Sequence, residues 1–168
     1  PPGYQFTLCA TLIAERYAAM LLLGIDPGVN GAFALFDSDK RTVTITDMPD
    51  TTSGLVDLVA SLPVLRICTI EKPYYPKVIG VANVAKIATA YGKVIALLHQ
   101  RGIPINEVRP ADWKASLNLG SSKSASRELA SQLFPDAAHQ WARVKDDGRA
   151  EASLIAWYGL RFAKGAVA

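Results

Sequence analysis

The sequence predicts an α/β layered domain, a mixed five-stranded sheet flanked by helices. Three observations carry that expectation. The runs LLLGID, GAFALFD and RTVTITDM read as strands and follow one another at short intervals. A further run, RICTIEK, is apolar enough to lie at a sheet centre. The stretches around the later strands carry apolar residues at helical three-and-four spacing. At 168 residues, 50% of them hydrophobic, the chain can bury one good core, and one domain is expected.

Taken in order, residues 1–19 (PPGYQFTLCATLIAERYAA) precede Met20, and a clean hydrophobic strand begins immediately after it. Met20 therefore reads as the native start and residues 1–19 as an upstream extension, with a helix around 8–17 as the alternative. The segment lacks the basic region of a secretory signal, and its apolar run is too short to span a membrane. The domain is expected over residues 20–168. Its first three strands, 21–26, 31–37 and 41–48, are joined too closely for crossovers, so they form an antiparallel meander whose third member has one wet face.

A short helix is expected at 52–60 and a fourth strand at 66–72. Residues 78–101 place Val81, Val84, Ala85, Ala88, Tyr91, Ile95 and Leu98 on one stripe of a long helix, which Gly102 closes. A fifth strand follows at 103–108. Pro110 opens a short helix to 117, another runs over 122–134, and the last, at about 147–162, packs through Ala150, Leu154, Ile155 and Tyr158.

The two cysteines, Cys9 and Cys68, give neither a disulfide framework nor a CxxC metal spacing, which fits a reducing cytosol. The formal charge of +3 favours an anionic partner, although so modest a value also serves solubility alone.

The acids carry the chemistry. Asp26 and Glu71 each end a strand that reads as buried, and the prolines of KPYYPK prevent Glu71 from lying inside a continuing central strand. Asp147 and Glu151 are four residues apart and project about 40° from each other around a helix, so they share a face. Asp146 lies roughly 140° from Glu151 and suits a helix cap better than a ligand. Each acid also has a plain reading. Asp26 can start the Asp-Pro-Gly turn, Glu71 can pair with a neighbouring lysine, Asp147 can sit at a helix start, and Glu151 can be exposed and paired with an arginine. Together they imply more, because clustered like charges are tolerated mainly where a divalent cation neutralises them. Ligands that are all oxygen select hard ions, which points to Mg²⁺ with Mn²⁺ as a substitute. Two such ions about 4 Å apart would serve phosphodiester hydrolysis. The candidate catalytic and metal ligands are thus Asp26, Glu71, Asp147 and Glu151, with Asp146 a further metal candidate.

The chain from Met20 to about Phe162 resembles a RuvC-type Holliday junction resolvase of the RNase H-like nuclease superfamily. The resemblance is carried by GIDPGVNGA, TIEKPYY, VRPADWKASLNLGSSKSASRELASQLFP and KDDGRAEASLIAWYG, whose order and spacing cover nearly the whole domain. It implies an RNase H-like fold, a homodimer, and paired metal-dependent nicks in four-way or branched DNA, in the cytoplasm of a bacterial cell or phage-infected host. By the same resemblance Asp26 and Glu71 are the first two acids and the last helix supplies the rest. Many members carry there two aspartates three apart, or a His with an Asp, whereas this chain has Asp147 and Glu151 four apart with Asp146 beside them. That spacing and the compact length look more like phage or prophage versions. The long helix becomes a candidate dimer interface.

Basic residues flank the acidic elements: Lys72, Lys77, Arg109, Lys114, Lys123, Arg127, Arg143, Lys145 and Arg149. Phosphates of a bound strand would pass there, although a solvated surface is the plain reading of any one of them. The resemblance singles out Lys114 and Lys123 as holding DNA near the cut and Tyr74 as the wedge aromatic. Lys72 and Arg149 complete the expected DNA contacts, and Tyr75 either stacks on a base or packs a loop. Trp113 and Trp141 read as packing residues, Trp157 as core or contact, and His99 and His139 as solvated.

Three other functions compete. The GIDPG start also resembles the phosphate loop of actin-like sugar kinases, but that fold needs two lobes and a longer chain. YqgF-type nucleases of RNA processing share the first motif without implying the TIEKPYY aromatic. A junction-binding module that does not cut would not need the acids intact.

Overall fold

The computed structural model describes residues 20–28, 30–75, 80–120 and 122–163, except for the side chain of Lys123. The expected extension at 1–19, Lys77 and any DNA contact by the Lys123 side chain lie outside this description.

Five strands form one open mixed sheet in the order β3-β2-β1-β4-β5. β1 (Leu21–Asp26), β2 (Ala32–Asp37) and β3 (Thr42–Asp47) are the expected antiparallel meander. β4 (Ile67–Glu71) runs parallel to β1, and β5 (Ile105–Val108) runs parallel to β4. β1 is apolar from Leu21 to Ile25 because both of its faces are covered. Leu22 belongs to one core with Ala34, Phe36, Trp113, Leu154 and Ile155, while Leu23 and Ile25 belong to a second core with Leu55, Val59, Val94 and Leu98. β3 is the edge strand with the wet face that its alternating sequence predicts.

The helices are α1 (Thr52–Ser61), α2 (Val81–Gln100), α3 (Pro110–Ser116), α4 (Lys123–Leu133) and α5 (Asp147–Ala163). α1 is capped by Thr51 Oγ1, which accepts from Gly54 N–H at 3.0 Å. Two 3₁₀ segments, Pro135–Trp141 and Val144–Asp146, join α4 to α5 in a stretch to which periodicity assigns nothing, since such short runs have no repeating face. α5 lies directly on β1: a Cβ at Gly24 would stand 2.2 Å from Ala152 O, so only glycine permits that approach.

The single buried stripe expected along α2 is not what forms. Leu98 is buried, Val84, Tyr91 and Ile95 are half-buried, and Val81, Ala85 and Ala88 are exposed. Only the second half of the helix reaches the core, through Val94 and Leu98.

Candidate active site

The parallel register of β1 and β4 pairs Ile25 with Ile70, so the next residue on each strand, Asp26 and Glu71, leaves the sheet at the same edge. Glu71 pairs in turn with Val108 of β5, and the chain passes from there through Arg109 into α3, which carries Trp113 and Lys114 to the same edge. α5 begins there as well. A Cβ at Gly148 would stand 2.1 Å from Asn30 O and 2.9 Å from Asp26 Oδ2, so this glycine lets the start of α5 sit against the β1–β2 turn. Asp147 and Glu151, on either side of it, are thereby brought to Asp26.

Each acid shows how its plain reading and its place in the cluster combine. Asp26 Oδ1 accepts from Gly28 N–H at 2.9 Å, the expected turn, yet the same half-buried carboxylate also feels Glu151 and Asp147. Burial first, then those two charges, push its pKa up to about 6 against the pull of Gly28 N–H and Lys114. Glu71 does not pair with its neighbour Lys72, whose ammonium lies instead 3.8 Å from Glu107. Its Oε2 accepts from the indole N–H of Trp113 at 2.6 Å. Burial, with repulsion from Asp26 and Glu151, raises its pKa to about 7 against that hydrogen bond. Glu151 is half-buried, and its Oε1 accepts from Lys114 Nζ at 2.8 Å and from Ser126 Oγ at 3.1 Å.

A second charge group borders the first. Arg149 grips Asp47 at the end of β3 through Nε and an Nη at 2.6 and 2.5 Å, and donates to Gln140 O. Arg143 makes the matching two-pronged contact with Asp146, at 2.8 and 2.9 Å. The guanidinium partners hold Asp47 and Asp146 below the usual carboxylate range. The structure therefore separates the adjacent aspartates: Asp146 is tied to Arg143, whereas Asp147 contributes charge at Asp26.

Of the expected DNA contacts, Tyr74 stands 74% exposed just beyond Glu71, and Lys72 is exposed. Lys114 lies among the acids and Arg149 is engaged by Asp47. Sequence reasoning missed the Trp113 bond. A buried indole N–H normally needs an acceptor, which is a signal, but its identity depends on the β4–β5 register.

Among the described residues no three His, Cys, Asp or Glu side chains are gathered at metal-ligand spacing. The acids converge electrostatically, and Lys114 supplies positive charge between them. The donor chemistry nonetheless fits a hard divalent ion: all-oxygen donors, mutually repelling, with two pKa values lifted by burial and crowding.

A meander followed by parallel strands, with helices on both faces, is the RNase H-like fold. More narrowly, it is the fold of RuvC. The chain is similar to a structure of Thermus thermophilus RuvC in complex with Holliday junction substrate, at 13% identity and a TM-score of 0.58, covering 86% of this chain and 97% of that one. It is equally similar to a Thermus thermophilus RuvC structure, at 14% identity and a TM-score of 0.58, covering 86% and 98%. No protein-family model and no curated protein sequence matches the chain.

Proposed function

We propose that this protein is a structure-selective endodeoxyribonuclease that resolves four-way DNA junctions by paired, metal-dependent phosphodiester hydrolysis in the cytoplasm of a bacterial or phage-infected cell. The observation that carries this reading is the charge imbalance at the sheet edge, where carboxylates from β1, β4 and α5 surround one lysine on the fold of RuvC. Asp26, Glu71, Asp147 and Glu151 would hold Mg²⁺, with Mn²⁺ able to substitute. When bound, the metal supplies a nucleophilic water at neutral pH and neutralises charge at the scissile phosphate. Asp146, committed to Arg143, leaves the place beside Glu151 to Asp147.

The basic residues hold the strand. Lys114, once parted from Glu151, reaches a phosphate at the cut, Lys72 extends that track, and Lys123 is assigned a DNA contact by the resemblance alone. Arg149 joins it only by exchanging Asp47 for a phosphate. Tyr74, exposed beside Glu71, stacks on an unpaired base at the junction centre. A second copy of the chain covers the exposed apolar first half of α2, placing two sites on opposite strands. By length and composition α2 also suffices to cross a membrane, but Val94 and Leu98 in the core and the Tyr91 hydroxyl bonded to Glu107 favour attachment to the sheet.

The test is incubation of the purified protein with a synthetic four-way junction, a linear duplex and a structured RNA, each with and without Mg²⁺. Symmetric paired nicks confined to the junction and to Mg²⁺ are expected. Trimming of the RNA alone would point to a YqgF-type activity, and junction binding without cleavage to a non-enzymatic module; either result overturns the proposal.

A further inference from the structure

We infer that Trp113 is a positioning residue for this reaction: its indole N–H holds the Glu71 carboxylate in place for the divalent ion. The inference rests on the function proposed above. Trp113 is 0% exposed, set on α3 in the core that also contains Val108 at the end of β5. An indole has two side-chain torsions, and here packing fixes both, so its N–H is a rigid donor. Glu71 has three torsions and ends a strand at an edge where Asp26 and Glu151 repel it. Left to repulsion, its carboxylate would turn outward. Among the described residues Trp113 is the side-chain donor that opposes this, at 2.6 Å, the short distance of a bond to a charged acceptor. Lys72, next in the chain, is drawn to Glu107.

The bond occupies Oε2, and among the described residues no hydrogen bond engages Oε1. The same ring also underlies Lys114, whose Nζ lies 5.1 Å from its centroid, so one buried side chain sets both a carboxylate and the cation beside it. Partners that orient metal ligands in this way commonly contribute 10- to 100-fold to metal affinity.

Trp141 provides the control. It is as deeply buried, and its indole donates at 2.9 Å to Ser131 Oγ, a hydroxyl outside the acid cluster. In calorimetric titrations of the full chain with Mn²⁺, Trp113→Phe should raise the dissociation constant roughly 10- to 100-fold. Trp141→Phe should leave it within roughly twofold of wild type while lowering thermal stability comparably. In metal-free ¹⁵N–¹H spectra, Glu71→Ala should displace the Trp113 indole resonance and leave that of Trp141 in place. An unmoved Trp113 resonance, an unchanged Mn²⁺ affinity in Trp113→Phe, or equal losses in both tryptophan variants overturns the inference. A wild-type protein that takes up no Mn²⁺ while the Trp113 resonance still responds to Glu71→Ala overturns the metal reading beneath it.

Discussion

At the start of α5 two groups of charged side chains lie within a few residues of each other, and they balance charge in opposite ways. On one side, Asp47 and Asp146 each have a guanidinium of their own, held by two hydrogen bonds, and their pKa values are lowered. On the other, Asp26, Glu71 and Glu151 share Lys114, and the pKa values of Asp26 and Glu71 are raised. Asp146 and Asp147, adjacent in sequence, fall on different sides of this divide. A paired carboxylate is satisfied by the fold, whereas a crowded one costs stability that the fold does not recover by itself. The cation site proposed for the second group rests on that contrast.

The sharpest way to break the comparison is to remove one acid from each group. Asp26→Asn or Glu151→Gln should reduce junction cleavage by more than roughly a hundredfold, the scale reached by disturbing even a ligand's supporting partner. Gel-shift affinity for the junction should stay within a few-fold, because the proposed phosphate contacts come from other residues. Parallel loss of binding would contradict the separation.

Next in size is the hinge between the groups. Gly148→Ala places a methyl group against Asn30 O and should destabilise the protein by about 3 kcal/mol in chemical denaturation. Wild-type stability would mean that α5 does not sit against the turn as described.

The two groups should also respond to pH with opposite sign. Asp26 and Glu71 have folded pKa values above their unfolded ones, so the stability they confer is fully present below about pH 4. It is lost as pH rises through about 6 to 7. Asp47 and Asp146, with lowered pKa values, confer stability above about pH 4 that is lost on further acidification. Metal-free protein should therefore be less stable at pH 8 than at pH 5.5, by about 2 kcal/mol from a shift the size of Glu71's and about 1 kcal/mol from one the size of Asp26's. Glu71→Gln should remove most of that slope and Asp26→Asn the smaller part. A metal-free stability that rises from pH 5.5 to 8 would contradict the assignment.

The smallest effect belongs to the paired group. Asp47 is largely exposed, so Asp47→Asn should cost about 1 kcal/mol or less in thermal denaturation and leave cleavage rates near wild type. A large loss of cleavage would erase the distinction between the groups.

The fold was legible because its signals are local. Short connections give a meander, continuous apolar runs give central strands, and three-and-four spacing gives helices. The positions of Asp26 and Glu71 at strand ends, and of Asp147 and Glu151 on one helix face, could be read in the same way. What could not be read depends on register and coverage. The bond from Trp113 to Glu71 needs β5 aligned so that Val108 meets Glu71. The grip of Arg149 on Asp47 joins residues 102 apart, so reading Arg149 as a ready phosphate contact lacked the partner that engages it. Along α2, periodicity shows which residues share a face but not how far the sheet extends beneath them, and Val81, Ala85 and Ala88 therefore remain exposed.

The central claim is that the crowded acids form a divalent-cation site and the paired ones do not. Anomalous scattering from a crystal soaked in Mn²⁺ tests it most directly. Peaks bounded by Asp26, Glu71 and Glu151, with none at Asp47 or Asp146, are the expected result. Mn²⁺ bound elsewhere while those three carboxylates remain unligated would contradict it.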